Sequence, residues 1–235
     1  MASLLFLGCT LRFGLPDLAD KYRQVLDELG IDYLLAENEP CCGLPLYNAG
    51  LFDEFKEHCK KVKEILRAKK MIFVCPSCCY TFKYIYPKFV EKWKVQAVHV
   101  IELLTELLHK KKFGLEAVLQ EKQVGFHDPC HLGRGLGIYE QPRELLRAAG
   151  YNVLEPVLAK QYSFCCGGGG GLRATFPESS LAAAKLSLER FAKLGCKVVV
   201  TSCPMCLLQL REAASQHFPE IKVVDILEAI KVKKR

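Results

Sequence analysis

Thirteen cysteines in 235 residues dominate the chemistry this sequence can do. Ten of them fall into two series of one form. Cys9 is followed by Cys41-Cys42-Gly43 and then by Cys75-Pro76-Ser77-Cys78, while Cys130 is followed by Cys165-Cys166-Gly167 and then by Cys203-Pro204-Met205-Cys206. An odd total cannot pair wholly within one chain. The start, Met1 to Cys9, has neither the cationic region nor the apolar length of a signal peptide. The expected compartment is therefore the reducing cytoplasm, where clustered cysteines are metal ligands or redox groups rather than staples. No apolar run approaches the roughly 18 residues that span a bilayer, so membrane association is expected only peripherally, through a partner.

The Cys-Pro-x-Cys spacing lets two sulfurs face one metal from a tight turn, and by itself it suits zinc, an iron–sulfur cluster or a thioredoxin-like dithiol. A dithiol needs two sulfurs and each series offers five. Structural zinc takes four thiolates, which leaves one spare. Adjacent cysteines such as Cys41 and Cys42 point apart and suit a cluster with several iron atoms to reach. Iron–sulfur binding is the favoured reading, with zinc at one site as the alternative. Of the three remaining cysteines, Cys59 and Cys196 are expected as small buried apolar residues, and Cys79 competes with Cys78 as a ligand.

The elements that must position these sulfurs also repeat. The separations from Cys9 to Cys130, Cys41 to Cys165 and Cys75 to Cys203 are 121, 124 and 128 residues, which marks a duplicated unit. Domains over residues 1–115 and 116–235 follow. His99-Val100-Ile101-Glu102-Leu103-Leu104 is matched with Val223-Val224-Asp225-Ile226-Leu227. Short apolar runs at 3–8, 32–36, 70–74 and 97–101 read as strands in the first copy, as do 124–127, 152–155, 197–201 and 222–224 in the second. Helical periodicity covers 17–29, 52–67, 142–149 and 179–194, with Gly30, Gly150 and Gly195 as stops. The expected fold is α/β: two pseudo-symmetric Rossmann-like domains, each a small mostly parallel sheet flanked by helices. Cys9, Cys75, Cys130 and Cys203 fall at the carboxyl ends of strands, the edge where such sheets bind ligands.

The formal net charge is +7. Residues 1–115 hold 17 Lys and Arg against 14 Asp and Glu, and the rest hold 16 against 12, so neither half is a basic module and no nucleic-acid partner is expected. The lysine clusters at 60–61, 69–70, 110–112 and 231–235 are assigned to helix ends and the C-terminus.

The paired Cys-x31-Cys-Cys-Gly-x31-Cys-x2-Cys and Cys-x34-Cys-Cys-Gly-x35-Cys-x2-Cys patterns resemble the cysteine-rich CCG-domain family. His127-Asp128-Pro129-Cys130-His131-Leu132-Gly133-Arg134 and the glycine-extended Cys165-Cys166-Gly167 to Gly171 belong to the same resemblance. That family includes the catalytic subunits of heterodisulfide reductases and the iron–sulfur subunits of glycolate, lactate and glycerol-3-phosphate dehydrogenases. The resemblance implies two 4Fe-4S clusters of non-cubane type, held by Cys9, Cys41, Cys42, Cys75 and Cys78 and by Cys130, Cys165, Cys166, Cys203 and Cys206. It implies an oxidoreductase of anaerobic metabolism that cleaves a small-molecule disulfide, one cluster engaging each sulfur. A ferredoxin-like iron–sulfur subunit or a flavoprotein supplies the electrons, since the chain has no dinucleotide fingerprint. The alternative is an electron-transfer subunit of a flavin-dependent dehydrogenase.

Around these ligands, His131 is the candidate proton donor and His127 is read as a core residue. Asp128 and Arg134 are read as orienting the loop or binding an anionic substrate tail, with surface capping as the equal alternative. The glycines after Cys166 are expected to bring N–H groups to an anionic cluster; a P-loop is excluded because no Lys-Ser/Thr follows them. Tyr80, Phe82, Tyr84 and Tyr86 alternate and are read as a hydrophobic wall or partner interface. Anaerobic metal analysis tests the core of this reading: iron with acid-labile sulfide is expected, whereas zinc without sulfide would overturn it.

Overall fold

The computed structural model describes residues 3–234, and the chain divides into two compact units after Leu103. The first contains β1 (Ser3–Phe6), α1 (Cys9–Gly14), α2 (Pro16–Glu28), β2 (Tyr33–Leu35), α3 (Leu44–Asn48), α4 (Phe52–Leu66), β3 (Lys70–Phe73), α5 (Pro76–Tyr80), α6 (Tyr86–Phe89) and β4 (Gln96–His99). Helix α7 (Val100–His109) carries the chain across the division. The second unit contains β5 (Phe113–Ala117), β6 (Gln123–Phe126), α8 (Glu140–Ala148), β7 (Asn152–Leu154), α9 (Leu172–Thr175), α10 (Pro177–Ala192), β8 (Val198–Thr201), α11 (Pro204–His217), β9 (Lys222–Asp225), α12 (Ile226–Ala229) and β10 (Ile230–Lys234).

Each unit builds a four-stranded parallel sheet with the same order, β2-β1-β3-β4 and β7-β6-β8-β9. Past their first residues the central strands β1, β3 and β6 are apolar or glycine and buried, because both faces are covered. All four residues of β1 and of β8 are buried. Burying each valine of Val198-Val199-Val200 contributes about 1.5–3 kcal/mol. Edge strand β2 leaves Leu34 and Leu35 exposed. Proline occupies the first turn of α2, α5, α10 and α11, where its missing N–H costs nothing. Helices stop at Gly30, Gly150 and Gly195 as expected, and the following N–H returns to the last turn in each case, Ile31 to Leu26, Tyr151 to Leu146 and Cys196 to Phe191.

The strand registers correct one internal match. Phe73 pairs with His99 and Thr201 with Asp225, which aligns His99 with Asp225 rather than with Val223. Both cap the helix that follows. Asp225 accepts from the Leu227 N–H, the Nδ1 of His99 accepts from the Ile101 N–H, and Glu228 and Glu102 reach back to the Asp225 and His99 N–H groups.

Two further elements depart from expectation. Strands β5 and β10 form an antiparallel ribbon outside the two main sheets, so residues 231–234 are strand rather than tail. Lys231 and Lys233 face outward while Ile230 and Val232 are buried, an amphipathic strand that the lysine content masked. Lys60 and Lys61 lie inside α4 and Lys70 opens β3, so these too are not helix-end residues. Residues 81–85 and 131–135 form π-helical turns. The helical path over 80–86 splits the four aromatics: Phe82 and Tyr86 are buried and stacked at 4.4 Å, while Tyr80 and Tyr84 pair with each other at 5.5 Å. Half of the expected wall is therefore core.

Tyr151 ties the ribbon down. Its hydroxyl accepts from the N–H groups of Val118 and Leu119 and donates to the Ala229 carbonyl at 2.6 Å. Tyr151→Phe leaves the Leu119 N–H without its partner, while the Val118 N–H and the Ala229 carbonyl keep each other at 2.9 Å, and it is expected to cost about 1–3 kcal/mol, measured as a lower urea midpoint with an unchanged slope.

Candidate metal centres

The strand order decides where the sulfurs meet. The chain leaves β1 toward β2 and leaves β3 toward β4, which opens a crevice at the carboxyl ends of the two central strands. Cys9 opens α1 three residues after β1, and Cys75 caps α5 two residues after β3. Cys41 and Cys42 stand in the loop after β2. In the second unit Cys130 follows β6, Cys203 caps α11 after β8, and Cys165 and Cys166 come from the long connection after β7.

These placements bring all five expected thiols of each series into one chain of contacts. In the first unit it runs Cys9, Cys41, Cys42, Cys78, Cys75. In the second it runs Cys130, Cys165, Cys166, Cys206, Cys203, the same order. Cys78 is the thiol that reaches Cys42 and Cys75. Cys79 is buried beside it, and burial, before the nearby Glu102 carboxylate, pushes its thiol up. Cys59 and Cys196 are buried and not members of the chains of contacts: Cys59 touches Tyr86 and Cys196 donates to the Val198 carbonyl.

Crowding splits the acidities within each series. Contact with Cys41, then burial, pushes Cys9 up, and contacts with Cys42 and Cys75 push Cys78 up. Cys42 and Cys75 move down because neighbouring thiols donate to them. Cys165, accepting first from Cys130 and then from Cys166, is lowered to about 2. Five thiols in contact cannot all ionise unless positive charge is shared among them. Five sulfurs in one contiguous set fit a cluster with several metal atoms and exceed the four that a closed zinc site uses.

Backbone donors surround the sulfurs. The Gly43 N–H approaches Cys41 Sγ at 3.5 Å, and Gly167 and Gly168 N–H approach Cys165 and Cys166 Sγ at 3.4 Å each. The glycine of each Cys-Cys-Gly is required sterically. Gly43 and Gly167 have φ of 79° and 76°, and a Cβ would come within 2.6 Å of the His58 ring and 2.5 Å of the Ser180 carbonyl. The glycine run therefore divides: Gly167 and Gly168 serve the sulfurs, whereas Gly169 to Gly171 border open space and turn the chain into α9.

Each first loop is pinned by a carboxylate. Glu39 accepts from the Leu7 and Gly8 N–H groups, both at 2.8 Å, while Arg12 donates to the Glu39 carbonyl at 2.6 Å. In the second unit Asp128 takes both Arg143 Nη atoms at 2.7 and 2.9 Å and the Lys160 N–H at 2.8 Å. Arg143 is fully buried and also engages Glu155 at 2.5 and 2.9 Å. Asp128 thus orients the loop, and Arg134 does the same through the Gln161 and Ser163 carbonyls. Tyr86 donates to the Cys42 carbonyl at 3.1 Å, and His58 Nε2 to that of Cys41 at 2.7 Å. The sequence pattern did not single out Glu39, His58 or Arg143. Only Arg143 left a signal, an arginine in phase with the buried Pro142, Leu145 and Leu146 of α8.

Both expected histidines stand at the second centre. His131 is half-buried with Nδ1 at 3.9 Å from Cys130 Sγ, and burial lowers its pKa. His127 is buried, with Nδ1 at 3.1 Å from Ser187 Oγ, and burial lowers its pKa to about 4, which keeps the ring neutral.

An α/β protein with duplicated thiol sites at its strand ends defines a metal-binding class, and comparison places the chain within one family. The model of the CCG cysteine-rich domain matches residues 3–83 and 124–211, and the chain belongs to that family. It is 33% identical over 231 residues to one component of the dihydromethanophenazine:CoB–CoM heterodisulfide reductase of Methanosarcina acetivorans, covering 94% of this chain and 56% of that protein. It is 30% identical over 227 residues to one component of the fumarate reductase (CoM/CoB) of Methanothermobacter marburgensis, covering 96% and 45%. Lactate utilization protein A 1 of Bacillus mycoides is 24% identical over 237 residues, covering 96% and 95%. The chain spans about half the length of the heterodisulfide reductase component. Among the described residues no helix is long and apolar enough to cross a membrane.

Arg143→Met leaves Asp128 buried without its cation. The expected loss is about 3–5 kcal/mol, measured by chemical denaturation.

Proposed function

We propose that this chain is an iron–sulfur oxidoreductase subunit of the heterodisulfide reductase type. In this reading Cys9, Cys41, Cys42, Cys75 and Cys78 hold one 4Fe-4S cluster and Cys130, Cys165, Cys166, Cys203 and Cys206 hold another. The observation that carries it is the identical order of thiol contacts in the two units, which supplies two complete five-sulfur sets. Many dehydrogenase-linked members keep one set, as the family resemblance implies, and this chain keeps both. When bound, such clusters accept and release electrons singly.

The reaction is reductive cleavage of a small-molecule disulfide: the S–S bond breaks, two electrons enter from a ferredoxin-like or flavoprotein partner, and two protons complete two thiols. The chain's own residues hold the metal sulfurs in place and donate N–H groups to them. His131, beside Cys130, passes a proton to a departing thiolate. A cytoplasmic location belongs to the same proposal. A second reading, electron transfer within a lactate or glycolate dehydrogenase system, is favoured by the match over 95% of lactate utilization protein A 1.

The experiment separates the two. Anaerobically reduced protein, isolated with its natural partners, is mixed with a disulfide panel that includes CoM-S-S-CoB. Oxidation of the clusters with release of two thiols supports the first reading, whereas reduction of the isolated assembly by lactate or glycolate through a copurified flavin supports the second. Cys41→Ala and Cys165→Ala are each expected to lose about half of the iron. Full iron in both variants would refute the two-cluster assignment.

A further inference from the structure

Among the equivalent positions at which the two centres differ, one places a buried imidazole in the second centre alone. Phe6 and His127 each lie three residues before the first cysteine of their series, at the carboxyl ends of β1 and β6. Phe6 is fully buried and its ring packs on Phe73 and Phe82 at 5.3 and 5.1 Å, so it brings no polar atom to its centre. His127 is 2% exposed. One of its ring nitrogens and the Cys166 and Cys206 sulfurs lie within 4.8 Å of one another. Ser187 occupies Nδ1, and Nε2 is buried with no hydrogen-bond partner. A buried ring nitrogen left unpaired is unfavourable, so Nε2 is a donor or acceptor held in reserve beside the Cys166 and Cys206 sulfurs.

We propose that His127 is a positioning residue for the second cluster: Ser187 Oγ–H donates to Nδ1, which leaves the proton on Nε2, and Nε2–H donates to the thiolates of Cys166 and Cys206 once they carry iron. The inference rests on the two-cluster reading. The donors at the Cys-Cys-Gly turns do not distinguish the centres, since Gly43 and Gly167 serve Cys41 and Cys165 alike and the Leu44 N–H serves Cys42 as the Gly168 N–H serves Cys166. The imidazole donor does. A hydrogen bond to cluster sulfur favours the reduced state, so the imidazole raises the potential of the second cluster.

The test is an EPR-monitored redox titration of the anaerobic protein, preceded by iron and sulfide analysis. His127→Phe installs the side chain of the first centre. Iron is expected to stay complete and one of two midpoint potentials to fall, by about tenfold in the reduced-to-oxidised ratio or about 59 mV for a one-electron couple. The same fall in a Cys41→Ala background assigns it to the second set. His127→Gln keeps an N–H donor and is expected to recover most of the shift. Complete iron with both potentials unmoved in His127→Phe overturns the proposal. Loss of the second cluster from both His127 variants also overturns it, because His127 would then be a ligand. Should the phenylalanine variant not fold, Ser187→Ala releases Nδ1 and is expected to lower the same potential, and an unmoved potential there overturns the inference. A wild-type protein without iron and sulfide fails the cluster reading itself.

Discussion

Mutual repulsion of thiolates governs this molecule. Two unit charges about 4 Å apart cost about 4 kcal/mol at the effective dielectric of a protein surface, and each unit brings five sulfurs into contact. Without a cation the thiols share protons, some pushed up and some down, as the opposed shifts of Cys9 and Cys42 show. With one, all five can ionise together. The architecture answers that single demand: a switch in strand order opens the crevice, a Cys-Cys-Gly turn brings two sulfurs beside N–H donors, and a proline-initiated helix delivers the last two.

The fold solves loop rigidity twice with different chemistry. In the first unit Glu39 grips backbone N–H groups directly, so a carboxylate takes the place of a missing strand partner. In the second, Asp128 is fixed through Arg143, whose planar fork spans two carboxylates at once. Breaking either buried pairing strands a charge, which is a stronger constraint than the net value of the pairing. Duplicated units thus retain the sulfur geometry while exchanging the means that support it.

Most of this plan was legible in the sequence because its signals are local. Interior strands such as Ser3–Phe6 and Val198–Thr201 are short apolar runs, and helices such as α4 and α10 carry three- and four-residue periodicity. The cysteines repeat at matching strand ends, so their convergence followed from topology. What escaped depends on contacts distant in sequence. The β5–β10 ribbon joins segments over 110 residues apart, and its lysine-rich outer face reads as a tail. Tyr80 to Tyr86 alternate in sequence but lie on a helical path, where spacing of four, not two, decides which ring is core. Glu39 and His58 are single polar residues whose partners are backbone atoms, and backbone partners leave no trace in composition. The two regions matched by the family, 3–83 and 124–211, take in all ten cysteines of the two series.

Tyr86 joins two parts of the first unit. Its ring stacks on Phe82 and packs against Phe55 and Trp93, while its hydroxyl holds the Cys42 carbonyl. The aromatic core and the metal loop therefore share one side chain, and thermodynamic linkage requires that whatever strengthens one also strengthens the other. In the proposed cluster-bound protein, a metal that orders the Cys42 loop would therefore also steady the aromatic core, and its loss would loosen it.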